Sequence, residues 1–160
     1  MMKLKSAKGF SIIELLIVIA IMGIVGVIGT STFSKFRENA QLREAVGAMV
    51  VDLNSAKMRA ISEHVNYTVT VNTTQNTYRI KGGTYDVTKK ISDFGKTIKI
   101  YSSLFPSSGI VFQGRGILLV TGTPPSSGYY EVLIRNKINS CIHVRVTTMG
   151  SVRRHVHQIK

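Results

Sequence analysis

The stretch Lys8-Gly9-Phe10-Ser11-Ile12-Ile13-Glu14-Leu15-Leu16-Ile17-Val18-Ile19-Ala20-Ile21-Met22-Gly23-Ile24-Val25-Gly26 holds one carboxylate, Glu14, in an otherwise membrane-quality apolar run. From Phe10 to Gly29 the run counts twenty residues with a single charge, which at about 1.5 Å per residue spans the roughly 30 Å hydrocarbon layer of a bilayer. Lys3, Lys5 and Lys8 precede it, and by the positive-inside rule they predict a cytoplasmic N-terminus with the rest of the chain outside. A cleaved secretory signal would use small residues such as Gly29-Thr30-Ser31-Thr32 as its processing site. Glu14 argues against that reading. A carboxylate inside a spanning helix costs up to about 3 kcal/mol, so its presence predicts a partner charge met in an assembly.

The 160 residues have room for one modest globular domain plus this appendage. A single cysteine, Cys141, excludes an intramolecular disulfide and reads as a small apolar core residue. Lys plus Arg number 21 against 8 Asp plus Glu, a formal charge of +13. After Asp93 the only acid is Glu131, against nine basic residues. Such an excess faces nucleic acid, anionic lipid or an acidic protein partner.

Beyond the apolar run, Leu42, Val46, Met49, Val50, Leu53, Ala56 and Ala60 recur at steps of three and four, while Arg43, Glu44, Asp52, Lys57 and Arg59 fall opposite. That spacing predicts one face of a helix, continuous with the run, over 10–62: residues 10–29 in the membrane and 30–62 amphipathic. From His64 the period changes to two. Residues 65–71 and 77–81 flank Asn72 to Asn76 as a hairpin, and further strands are expected at 97–101, 110–112, 117–121, 129–135 and 142–147. Loops fall at Gly82-Gly83, Pro106 to Gly109 and Thr123 to Gly128. The fold class is therefore α+β, a long N-terminal helix packed on a β-rich head over 63–160.

The strongest candidate site is the terminal strand pair. In Ile142 to Thr147, alternation buries the aliphatics and presents His143 and Arg145; in Ser151 to His157 it buries Val152 and Val156 and presents Arg153, His155 and His157. Arg154 then falls on the apolar face, so either a bulge re-aims it or the strand lies at a sheet edge. With Lys160 beyond, the result is a cationic ribbon suited to phosphates, or else an edge strand kept from pairing by charge. His155 and His157 could share a metal only with a third ligand, for which Cys141 and His143 are the candidates, and no metal site is assigned. No G-x-S-x-G, H-E-x-x-H or phosphate-cradling glycine loop occurs. No catalytic residue or cofactor is expected, which disfavours an anchored enzyme.

The motif Lys8-Gly9-Phe10-Ser11-Ile12-Ile13-Glu14-Leu15-Leu16, followed by the apolar run, resembles the class III signal of type IV pilins and type II secretion pseudopilins. The resemblance implies that 1–9 is a leader, that a prepilin peptidase cuts between Gly9 and Phe10 and N-methylates Phe10, and that the apolar helix is retained. It implies that Glu14 neutralises the terminal ammonium of a neighbouring subunit in a filament. Opposite charges in a helix bundle attract strongly where either alone is penalised. Many pilins carry a proline near position 31, where this chain has Ser31; Gly23, Gly26 and Gly29 can instead weaken the helix or let helices approach.

Within that family the chain is similar to the GspH/FimT type. Ala56-Lys57-Met58-Arg59-Ala60-Ile61, Val111-Phe112-Gln113-Gly114-Arg115-Gly116 and Gly150-Ser151-Val152-Arg153-Arg154 match its phrases, with Ser151 in place of a first arginine. This resemblance implies a lollipop-shaped, non-enzymatic subunit anchored in the bacterial inner membrane with a periplasmic head, and later built into a filament with other pilins. It implies either DNA binding in uptake, through His143, Arg145, Arg153, Arg154, His155, His157 and Lys160, or a place near the tip of a type II secretion pseudopilus.

Overall fold

The computed structural model describes residues 10–119 and 125–160, without the side chains of 27–31. The chain divides into two compact units, with the boundary between Phe36 and Arg37. One helix, α1, runs from Ile12 to Glu63. In the first unit its described large apolar side chains are exposed: Phe10, Ile12, Met22 and Ile24 are among them, as are Phe33 and Phe36. An unpartnered helix that is apolar all round is suited to lipid or to other helices. Among the described residues no helix is long and apolar enough to cross a membrane; the span expected over 10–29 runs past Gly26 into side chains outside the description.

In the second unit α1 buries Leu42, Ala45, Val46, Met49, Leu53, Ala56 and Ala60. These are the expected positions, joined by Ala45, with Val50 only partly covered. Each large aliphatic contributes roughly 1.5–3 kcal/mol by leaving water. Among the described residues every fully buried member of the hydrophobic core lies between Leu42 and Val146, so a head beginning at Arg37 keeps that core. The helix ends where His64 takes a left-handed φ of 55°, which stops the i to i+4 ladder.

Two antiparallel sheets cover that face. The first has the order β3-β2-β1-β5-β6, built from β1 (Tyr67–Asn72), β2 (Thr77–Gly82), β3 (Tyr85–Lys90), β5 (Ile110–Phe112) and β6 (Leu118–Leu119). The second has the order β4-β7-β8-β9, from β4 (Lys99–Ser103), β7 (Tyr129–Arg135), β8 (Cys141–Thr147) and β9 (Val152–Gln158). The hairpin around Asn72 to Asn76 forms as expected. Three expectations need correction. Strand β3 was not foreseen, because its half-buried alternation is carried by Tyr85, Val87 and Lys89 rather than by aliphatics alone. Strand β4 begins two residues later than expected and shifts register at Tyr101, a bulge. Of the strand expected at 117–121, Leu118 and Leu119 pair among the described residues, while 120 and 121, like the start of the loop expected from Thr123, lie outside the description.

The sheets are tied at two points. Asn76, at φ 54°, accepts the Ile91 N–H on its carbonyl and the Ile100 N–H on its side chain. At the other end Leu118 N–H donates to Thr148 O, and Gly150 (φ 74°) packs so closely on the Gly116 carbonyl that a Cβ there would sit 2.3 Å from the oxygen. Both glycines belong to phrases singled out in the sequence, and the fold brings those phrases together.

Candidate functional site

At the N-terminus Glu14 sits in the first turn of α1, and Ser11 O accepts the N–H groups of Glu14 and Leu15. A carboxylate one turn in is favoured by the helix dipole. Phe10 and Glu14 are both exposed, and Gly9 lies outside the described residues.

The terminal strands form the edge of the second sheet. His143 stands opposite His155, and Arg145 opposite Arg153, so these four share the outer face as expected. Between Ile142–Val156 and Cys141–Gln158 the register shifts, leaving His157 as the extra residue. Its ring centroid lies 5.3 Å from that of His143, and that of His155 lies 6.4 Å away. Among the described residues no group of three or more His, Cys, Asp or Glu is placed to hold a metal.

Glu131 on β7 anchors this face. Its Oε2 accepts from Arg145 Nε at 3.1 Å, and the Arg145 guanidinium stacks 4.5 Å from the Tyr129 ring. His143 Nδ1 lies 3.2 Å from the same oxygen, yet the angle makes no hydrogen bond and the nitrogen is buried without one.

Arg154 stands opposite Val144, on the core side of the sheet, yet is exposed. Of the two expected explanations the edge accounts for it, since the register shift lies further along, beside His157. The expected burial of Val156 fails for the same reason: it is 49% exposed. Only Val152 reaches the core, because β9 has a neighbour on one side and little cover beneath. Lys160 lies at the opposite end from Arg153, some 20 Å along the strand at about 3.3 Å per residue. Its N–H donates to Ser140 Oγ and its carbonyl accepts from Asn39 Nδ2. Arg153, Arg154 and Lys160 are therefore not one cluster.

A second group of cations was missed in the sequence. Lys96, Lys99, Arg135 and Lys137 line a groove between β4 and the β7–β8 turn, with Tyr101 carrying the Arg135 guanidinium 4.0 Å from its ring centroid. The signal was present in the nine late basic residues but is spread over two segments distant in sequence, one at β4 and one at the end of β7, so only pairing of β4 with β7 collects it.

Comparison with known proteins bears on both units. Residues 4–30 match the model of the prokaryotic N-terminal methylation motif. The structure is similar to the minor pseudopilin EpsH from the Type 2 Secretion System of Vibrio cholerae, with a TM-score of 0.56 over 72% of this chain and 97% of that one, at 8% identity. The fold is pilin-like. No curated protein matches the chain. At such low identity the likeness concerns fold alone. The pilin-like architecture and the methylation motif were both expected from the sequence, one from the helix-then-strands order and the other from Gly9, Phe10 and Glu14.

Proposed function

We propose that this chain is a minor filament subunit of GspH/FimT type, cut between Gly9 and Phe10 by a prepilin peptidase, methylated at Phe10, held in the inner membrane by α1 and then incorporated into a pilus or pseudopilus. The observation that carries this is the methylation motif joined through one continuous helix to a pilin-like head. Glu14 meets the terminal ammonium of a neighbour, and the exposed apolar surface of residues 10–26 packs against other helices. Mass spectrometry of the mature chain tests the processing: a first residue of N-methylphenylalanine at position 10 is expected, and an intact Gly9–Phe10 bond overturns it. Glu14→Ala is expected to insert in the membrane but to enter filaments poorly.

The head is further proposed to bind DNA through β9 and its neighbours, with Arg153 and Arg154 as the principal phosphate ligands. Both are exposed and outside any ion pair among the described residues. The head from Arg37 holds seventeen Lys plus Arg against seven Asp plus Glu, so attraction at low salt alone decides nothing. Titration with duplex DNA near physiological salt is expected to show binding that collapses in Arg153→Ala/Arg154→Ala, with the salt slope falling by about 0.9 for each phosphate that is no longer neutralised. Absence of binding, or binding indifferent to those arginines, favours the second reading, a pseudopilin with a purely structural role, which the likeness to EpsH supports.

A further inference from the structure

The groove between β4 and the β7–β8 turn encloses about 480 Å³, and Lys96, Lys99, Arg135 and Lys137 all line it, with no carboxylate in its walls. None of the four is in an ion pair among the described residues. The acid that touches the wall, Glu38, accepts the Thr97 hydroxyl. Elsewhere in the head Arg59, Arg79, Lys89 and Arg145 each have an acid beside them; in the groove four cations line one concavity without one.

The groove is also held open by structure. Stacking on Tyr101 positions the Arg135 guanidinium before any ligand arrives, which reduces the ordering cost of binding. Asn136, another wall residue, is fixed at both ends of its amide: Nδ2 donates to Asn39 Oδ1 at 3.1 Å, and Oδ1 accepts the Ser140 N–H at 2.9 Å. The turn that carries Lys137 is thereby tied to α1.

We infer that this groove is a binding site for an anion bearing two or more phosphate groups. Four cations lining one groove exceed what one carboxylate would neutralise. A guanidinium fork beside ammonium point charges is the donor set suited to phosphate oxygens. The backbone of a nucleic acid and a phosphorylated lipid headgroup both present this chemistry. The site stands apart from the β9 arginines and does not require that they bind DNA.

The test uses the head from Arg37, inorganic tripolyphosphate as probe, and thermal unfolding with calorimetric titration at low salt. Tripolyphosphate is expected to raise the Tm by several degrees. Lys96→Ala/Lys137→Ala is expected to weaken it at least tenfold, while Lys96→Arg/Lys137→Arg and Arg153→Ala/Arg154→Ala retain it. Both lysines are exposed, so the variants are expected to unfold near the wild-type Tm without ligand, a control that separates impaired binding from impaired structure. No shift in the wild type, or an equal shift in all variants, overturns the site, as does full displacement by sodium chloride at matched ionic strength. Displacement by a short DNA duplex assigns the groove to nucleic acid, and displacement by vesicles of cardiolipin, whose headgroup carries two phosphates, assigns it to lipid; either result supports it.

Discussion

In the first sheet Arg79 meets Asp86, Lys81 stands opposite that same aspartate, and Lys89 reaches Asp52, leaving Lys90 outside any pairing among the described residues. In the second sheet one acid, Glu131, is shared by Arg145 and His143, while Lys99, Arg135, Arg153 and Arg154 have none among the described residues. Both sheets cover the same helix and contribute to the same core, so packing does not demand the difference. A charge carried for solubility alone works as well with both signs interspersed. The strands of each sheet carry one acid, Asp86 in the first and Glu131 in the second, but α1 lends Asp52 to the first sheet alone, and the surplus left on the second indicates a surface whose counter-charge comes from outside.

That contrast can be broken most severely at the junction of the sheets. Gly150→Ala places a Cβ against the Gly116 backbone and forces a left-handed φ on a residue that carries one, which costs about 2–4 kcal/mol. A fall of ten degrees or more in the Tm of the head is expected; an unchanged Tm would mean that the two sheets do not depend on this close approach. A smaller effect is expected in the first sheet. Asp52 accepts the Tyr78 hydroxyl at 2.5 Å and holds Lys89, so Asp52→Ala strands a buried hydroxyl at a cost of about 1–3 kcal/mol. The same site has a pH signature. Burial first, and then Asp52, raise the Tyr78 pKa above its usual value, and burial raises that of Tyr130. A raised pKa gives stability that is complete below the ordinary tyrosine value near 10 and is lost as pH climbs past it. Absorbance titration is expected to show these tyrosines ionising only with unfolding.

The smallest effect sharpens the comparison most, because its sign differs between the sheets. Neutralising an unpaired cation of the second sheet, as in Lys99→Gln, is expected to raise the low-salt Tm by about 1–2 °C by relieving repulsion, with the gain fading at high salt. The corresponding change in the first sheet, Lys89→Gln, is expected to lower it. Equal signs would remove the basis of the contrast.

Much of this was legible in the sequence, and the reasons differ by element. The helix face from Leu42 to Ala60 was readable because spacing alone defines a buried stripe. The hairpin at Asn72 to Asn76 was readable because turn residues bounded two alternating runs. Position within a sheet was not readable. Strand β9 looks like a half-buried strand by alternation, yet Val156 and Arg154 are exposed because, among the described residues, little beyond the contact of Val152 covers that edge. The groove needed the β4–β7 pairing, which joins residues far apart in sequence. Asp52 looked like a solvated helix residue until β2 brought Tyr78 to it.

Asn39, only two residues inside the head, donates to the carbonyl of Lys160 and accepts from Asn136. Tension arriving along α1 therefore has a second route besides the covalent chain, through a pair of side-chain amides into the end of β9 and the β7–β8 turn. Such a route carries little load, because each strand of it is one hydrogen bond. It would part first under pull, freeing the end of β9 while the core from Leu42 onward still held, so that strain on the helix would be felt at the cationic edge before any of the head unfolded.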